Sequence, residues 1–322
     1  MPWTEIRTST GRVYRDWIEP VPRIPDFLLN SIVYLYDDEL NAETGAEFGA
    51  SGFVFYIPSE ATPETHYHFY VVTNAHVIDD GFSVVRFNLK DPSSGLERTQ
   101  VFPFEAASWV RHPKHDIAIR PMPPDVDSSV LNLMLWSLDQ FVTREEFRDK
   151  NIGAGDDLVY IGRYMGHAGK YENLPSVRFG SISMVPNERE PVAYTANGKR
   201  REQVGYLVEA RSRSGYSGSP VFFLHRHALN NSRLVMAQFD LRLLGIDWGH
   251  IPEAVPIKDE SGHLHGENWK VEVHSGMMGV VPSWYLLDFV KESPRLIEQR
   301  NRDDQFYLEH PPTGAPDGNL PT

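Results

Sequence analysis

Cysteine is absent from the sequence. That excludes thiol nucleophiles, disulfide staples and cysteine-ligated zinc or iron–sulfur centres, and leaves stability to packing. Long apolar runs are missing too: no stretch approaches the roughly 18 residues a membrane-crossing helix needs, so no membrane partner is expected. Positive charge is scarce beside negative, with 31 Lys and Arg against 44 Asp and Glu and a formal net charge of -13. Such a surface repels phosphate backbones and argues against a nucleic-acid partner. The opening residues, MPWTEIRTSTGRVYRDW, hold no basic region followed by an apolar core. No secretory signal is therefore expected, and a cytoplasmic location is the simplest expectation.

What is present is a globular balance, 41% hydrophobic and 23% charged over 322 residues, a length that suits about two domains. Short alternating apolar segments separated by Gly, Pro and Asn turns point to an all-β protein, and periodicity does not choose between sandwich and barrel. Residues 1–26, with Pro20, Pro22 and Pro25, read as an extended N-terminal arm. Strand-like runs follow at 27–36, 50–57, 65–74, 82–89 and 99–104, with 37–50 as a surface loop. Pro121, Pro123 and Pro124 break regular structure ahead of a connection over 136–152. Further strands are expected at 153–161, 176–185, 202–210, 221–224, 234–239, 241–249 and 276–282, with 250–268 as a long polar loop. An apolar helical pattern begins at Pro282-Ser283, and the acidic, then Pro/Gly-rich residues 302–322 read as a disordered tail.

Three fragments carry chemistry. EARSRSGYSGSPVF, residues 209–222, sets Ser217 between Gly215 and Gly218 in a tight turn. Glycines there admit backbone angles that a side chain forbids, and the amides of Gly215 and Ser217 can converge as an oxyanion hole. Upstream, VVTNAHV ends a β-branched run on His76, and HDIAI places Asp116 at the start of an alternating strand. The order histidine, aspartate, serine is that of trypsin-like proteases. On these motifs the chain resembles the trypsin/chymotrypsin-type serine peptidases, closer to the cysteine-free bacterial kind, including the HtrA-like enzymes, than to the secreted digestive ones.

The resemblance spans roughly residues 27–292, with specific motifs only around His76, Asp116, Ser217 and 245–249. It implies two six-stranded antiparallel β-barrels, the first over 27–135 and the second over 153–301, with a C-terminal α-helix and the site in the cleft between them. It implies that His76 acts as general base, Asp116 orients it, Ser217 is the nucleophile, and the amides of Gly215 and Ser217 hold the oxyanion. Neither metal nor organic cofactor is expected; the expected partners are a peptide or protein substrate and a regulatory protein.

Residues 211–214 would line the pocket for the substrate side chain, with Arg211, Ser212 and Ser214 as contacts. Arg211 stands at the floor position, where it would attract an acidic side chain or else turn out to solvent or pair with a carboxylate. Asp247, Trp248 and Gly249 would form the strand that pairs with the substrate backbone and the pocket mouth. Tyr216 departs from the secreted enzymes, which carry aspartate before the serine. Tyrosine cannot make the ion pair that a newly cut N-terminus supplies, so the oxyanion hole is expected to be preformed or ordered by a ligand or partner.

Rival readings attach to the histidines. His66 and His68 alternate on one strand face as metal ligands could, and His112, His115 and Asp116 form a second candidate set, interrupted by Pro113. A protease-fold binding or sensor module that cuts little or nothing is the alternative to a peptidase.

Overall fold

The computed structural model describes residues 4–7, 13–16, 24, 26–90, 99–126, 130–196, 199–225, 240–264 and 269–309. The structure is mostly β. Strands β1 (Thr4–Arg7) and β2 (Val13–Asp16) pair antiparallel, so the N-terminal arm contains a hairpin.

The first half is a sheet built from β3 (Ile32–Tyr36), β4 (Ala50–Pro58), β5 (Tyr67–Thr73), β6 (Val84–Asn88), β7 (Thr99–Phe102), β8 (Val110–Arg111) and β9 (Ala118–Pro121). Their order is β7-β6-β3-β4-β5-β9-β8, and β10 (Trp136–Ser137) adds in parallel to β4. Among the described residues this sheet does not close, so the expected first barrel is corrected to an eight-stranded sheet. The outer strands are short: β8 has two residues and β7 four, too few to zip the edges together.

The second half does close. Strands β11 (Asp157–Gly162), β12 (Ser176–Met184), β15 (Tyr206–Glu209), β16 (Pro220–His225), β17 (Asp240–Pro256) and β18 (Lys270–Pro282) form a barrel in the order β11-β12-β15-β18-β17-β16. A separate hairpin, β13 (Val192–Ala196) and β14 (Lys199–Gln203), projects between β12 and β15. The predicted loop over 250–268 is in part strand, because β17 and β18 stay paired as far as Pro256 and Lys270. The strand expected at 234–239 lies outside the described residues.

Among the described residues there are five α-helices, three in the connections and two after β18. These are α1 (Glu39–Thr44), α2 (Ala75–Asp79), α3 (Arg144–Asp149), α4 (Ser283–Glu292) and α5 (Pro294–Glu309). The loop predicted over 37–50 thus carries a helix, capped by Asp38, whose carboxylate accepts from Asn41 N at 2.7 Å. Residues 302–309, expected in the disordered tail, are the last turns of α5; Leu296 and Tyr307 bury against the body there. Residues 310–322 of that tail lie outside the described residues. Among the described residues, no helix is long and apolar enough to cross a membrane.

Alternation along the first-half strands divides them between two cores. Ile32, Tyr34, Phe53, Phe55 and Tyr70 face a core shared with Leu158, Tyr160, Phe222 and Leu243 of the barrel. Val33, Leu35, Val54, Val71 and Val85 face a smaller core with Trp109 on the other side of the sheet. Two guanidiniums lock the halves together. Arg86 of β6 donates to Asn173 Oδ1 at 2.7 Å and to Gly169 O at 3.0 Å. Arg163, just past β11, reaches back to Leu35 O at 3.4 Å and to Ala46 O. Both are fully buried over the rings of Tyr34 and Tyr36 and bond mostly to carbonyls, as a buried cation requires when no carboxylate is at hand, although Arg163 Nε has no partner among the described residues.

Candidate active site

His76 enters the site because the β-branched strand β5 ends at Thr73 and α2 begins one residue past Asn74. The side chain of Asn74 does not cap that helix; its amide donates instead to Asp116 O at 2.9 Å. The Asp116 carboxylate then spans two donors, His76 N at 2.9 Å through Oδ1 and His76 Nδ1 at 2.6 Å through Oδ2. With Nδ1 committed as donor, Nε2 is left as the basic nitrogen, the tautomer a general base needs. Burial opposes charge on this ring, but the charge and hydrogen bond of Asp116 outweigh it and hold the His76 pKa above its ordinary value. The ring keeps a 21% exposed face, so it is reachable from solvent.

A residue that sequence motifs did not single out steadies the aspartate. Gln203, at the end of β14, accepts from Asp116 N at 3.1 Å, and its amide lies 3.0 Å from His115 Nδ1. His115 stacks on Tyr285 at 3.7 Å, and His112 Nδ1 accepts from the amides of Lys114 and His115. Burial pushes both imidazoles down to about 4. His112, His115 and Asp116 therefore face three different sets of partners rather than one centre. His66 stacks on Tyr307 of α5, and His68 Nε2 meets Asp304 at 3.1 Å, so this pair anchors the last helix.

The nucleophile turn depends on two left-handed glycines, Gly215 at φ 97° and Gly218 at φ 87°. Gly218 also tolerates no side chain, because a Cβ there would overlap Ser51 O and Thr73 Oγ1. That close approach sets the residue after Ser217 against the one three positions before His76. Ser51 of β4 is the clamp: its amide donates to Ser217 O at 3.0 Å, its hydroxyl donates to Gly215 O at 2.7 Å, and it accepts from Arg163 N at 2.8 Å. Thr73 Oγ1 in turn donates to Ser51 O at 2.8 Å. Ser217 is half-buried, and its hydroxyl lies 3.8 Å from where a Cβ on Gly249 would stand. Among the described residues the His76 ring hydrogen-bonds Asp116 alone, and a bond between His76 and Ser217 Oγ is not formed. Catalytic hydrogen bonds commonly tighten only when substrate arrives. The amides of Gly215 and Ser217 donate to no acceptor among the described residues, as a site reserved for an oxyanion requires.

Tyr216 holds the turn from behind without an ion pair. It is fully buried, its hydroxyl accepts from Arg178 Nε at 2.6 Å and also meets Ser176 Oγ, and Tyr160 packs edge-on at 5.6 Å. Arg178 also donates to Arg211 O at 3.2 Å.

Asp247 is 0% exposed. Its carboxylate accepts from Ser212 Oγ at 2.9 Å and Gly249 N at 2.6 Å, while its backbone bonds Gly218 N and Ser219 O, each at 2.9 Å. Burial pushes its carboxyl up to about 7. Ser212 is thus engaged inside the wall, and Ser214 and Arg211 are exposed. Of the two orientations open to Arg211, the structure shows the outward one, without a carboxylate partner among the described residues. β17 pairs on both sides at Gly245 and Ile246; past Asp247 its pairing continues with β18 alone. Trp248 tucks against Gly205 and Gly279, so Gly249 and the open edge beside it border Ser217.

No protein-family model matches the sequence, and no curated protein does either.

Proposed function

We propose that the protein is a serine endopeptidase. The observation that carries this reading is the Asp116–His76 pair, with the carboxylate clasping both the ring and the backbone of His76, beside a serine turn that Ser51 clamps to the same sheet. In the proposed reaction Ser217 Oγ attacks the substrate carbonyl as His76 Nε2 takes its proton. The oxygen, now negative, is held by the amides of Gly215 and Ser217. His76 returns the proton to the departing amine, and the acyl-enzyme is cleared by a water that His76 activates in turn. Substrate backbone adds to the open edge of β17 near Gly249, and the side chain preceding the cut lies beside Gly249.

A peptide library and an unfolded protein such as casein test the proposal. Cleavage that disappears in Ser217→Ala and His76→Ala, with both variants folded, is expected; cleavage persisting in Ser217→Ala would contradict it. Because Arg211 points outward, no enrichment of Asp or Glu before the cut is expected.

A second reading, a binding module on the same scaffold, is favoured by the unformed His76–Ser217 hydrogen bond. It requires that peptide binding occur without turnover in the wild-type protein and be unchanged by Ser217→Ala.

A further inference from the structure

On the face of the barrel behind the nucleophile turn lies a cavity of about 700 Å³, lined by residues that include Arg178, Phe179, Glu209, Arg211 and Gly276. Its charge is unusual for this chain. The protein carries a net charge of -13, yet two arginines and only one acidic residue, Glu209, line this cavity, and neither Arg178 nor Arg211 forms an ion pair among the described residues. Arg178 is only part-committed. Nε donates to Tyr216 and Nη1 to Arg211 O, whereas Nη2 makes no hydrogen bond among the described residues. Its guanidinium carbon lies 4.9 Å from the ring centroid of Tyr216 and 5.6 Å from that of Tyr164. Phe179, 55% exposed, and Gly276 also line the cavity.

We propose that this cavity binds a carboxylate carrying an apolar group, and that its occupancy is felt at Ser217 through Tyr216. The carboxylate bridges Arg178 Nη2 and the Arg211 guanidinium, and the apolar part lies on Phe179. The two bonds Arg178 already makes are kept, so the ligand fixes Arg178, and with it the tyrosine that immediately precedes the nucleophile. Arg178 is a positioning residue in this scheme: it touches no substrate of the peptidase reaction. The binding half stands without the peptidase reading; the coupling half rests on it.

The probe is 4-phenylbutyrate, titrated calorimetrically into wild-type protein and into Ser217→Ala, with 4-phenylbutyramide and inorganic phosphate as comparison arms. The expected result is saturable millimolar or tighter binding of the carboxylate to both proteins, at least tenfold weaker in Arg211→Gln and unchanged in Arg302→Gln, which alters an exposed arginine of α5. The amide is expected not to bind. Rates of Ser217 modification by a fluorophosphonate are expected to rise at least threefold when the site is filled, and to be insensitive to 4-phenylbutyrate in Arg211→Gln. No binding by the wild-type protein, equal binding of the amide, or full binding by Arg211→Gln would overturn the site. Phosphate binding as tightly as 4-phenylbutyrate would overturn the apolar half, and binding without a change in modification rate would overturn the coupling. Failure of fluorophosphonate modification itself bears on the peptidase proposal, since binding is read independently of it.

Discussion

Asp116 and Asp247 are two carboxylates near one histidine, and their surroundings drive them to different tasks. Asp116 satisfies two donors of His76 and raises the imidazole's affinity for a proton; Asp247 is sealed in the wall and pushed up to about 7. Since His76 must be neutral to act as base, the rate of Ser217 modification is expected to rise with pH through an apparent pKa above 6.5. Asp116→Asn, which favours the wrong tautomer, is expected to slow modification about 10⁴-fold and to move that midpoint down; a pH-rate profile checks both. Asp247 makes a separate prediction for stability. Its folded-state pKa is raised, so its stabilising contribution is full below the unfolded value near 4 and is lost as pH rises through about 7. Asp247→Asn preserves an acceptor for Gly249 but does not ionise. Urea unfolding between pH 4.5 and 8 is expected to show the wild type losing stability relative to the variant, by up to roughly 3 kcal/mol. Parallel curves would show that Asp247 is not held neutral.

At the scale of elements, the site depends on contacts that join distant strands. The β4 residue Ser51 contributes its amide and its hydroxyl to the turn that carries Ser217. Ser51→Ala keeps the amide bond but leaves Gly215 O and Arg163 N without their shared partner. A stability loss of about 1–3 kcal/mol and slower modification of Ser217 are expected, read by denaturant titration and labelling kinetics. Unchanged labelling would mean the turn holds its shape without the clamp. This contact shows where sequence reading stops. The turn, the histidine strand and the aspartate strand were legible because glycines at 215 and 218 and the short motifs are local signals. Ser51, Gln203 and Arg178 were not, because each acts across the fold, and a serine after alanine or an arginine in an alternating strand has no periodicity of its own. The same limit explains the first half: alternation predicted strands well, but closure depends on edge pairing, and the two-residue β8 left no such trace. Residues 302–309 read as tail rather than helix for a related reason. Low hydropathy in α5 hides the few residues, Leu296 and Tyr307 among them, that dock it.

For the whole molecule, the junction of sheet and barrel decides whether three side chains from two halves meet. Arg86 and Arg163 cross that junction in opposite directions, each buried over Tyr34 and Tyr36 and each bonded to backbone carbonyls of the other half. Arg163→Met would leave those carbonyls unmet and loosen the register between His76 and Ser217. A loss of about 3 kcal/mol or more is expected, together with reduced labelling, and equilibrium unfolding measures it. A fully active, equally stable variant would mean that the shared apolar core alone aligns the halves. The most direct measurement is peptide-mapped mass spectrometry of the intact chain after treatment with a fluorophosphonate at pH 8. The account predicts one adduct per chain, on Ser217, lost in His76→Ala; no adduct on the folded protein, or an adduct at another residue, would contradict it.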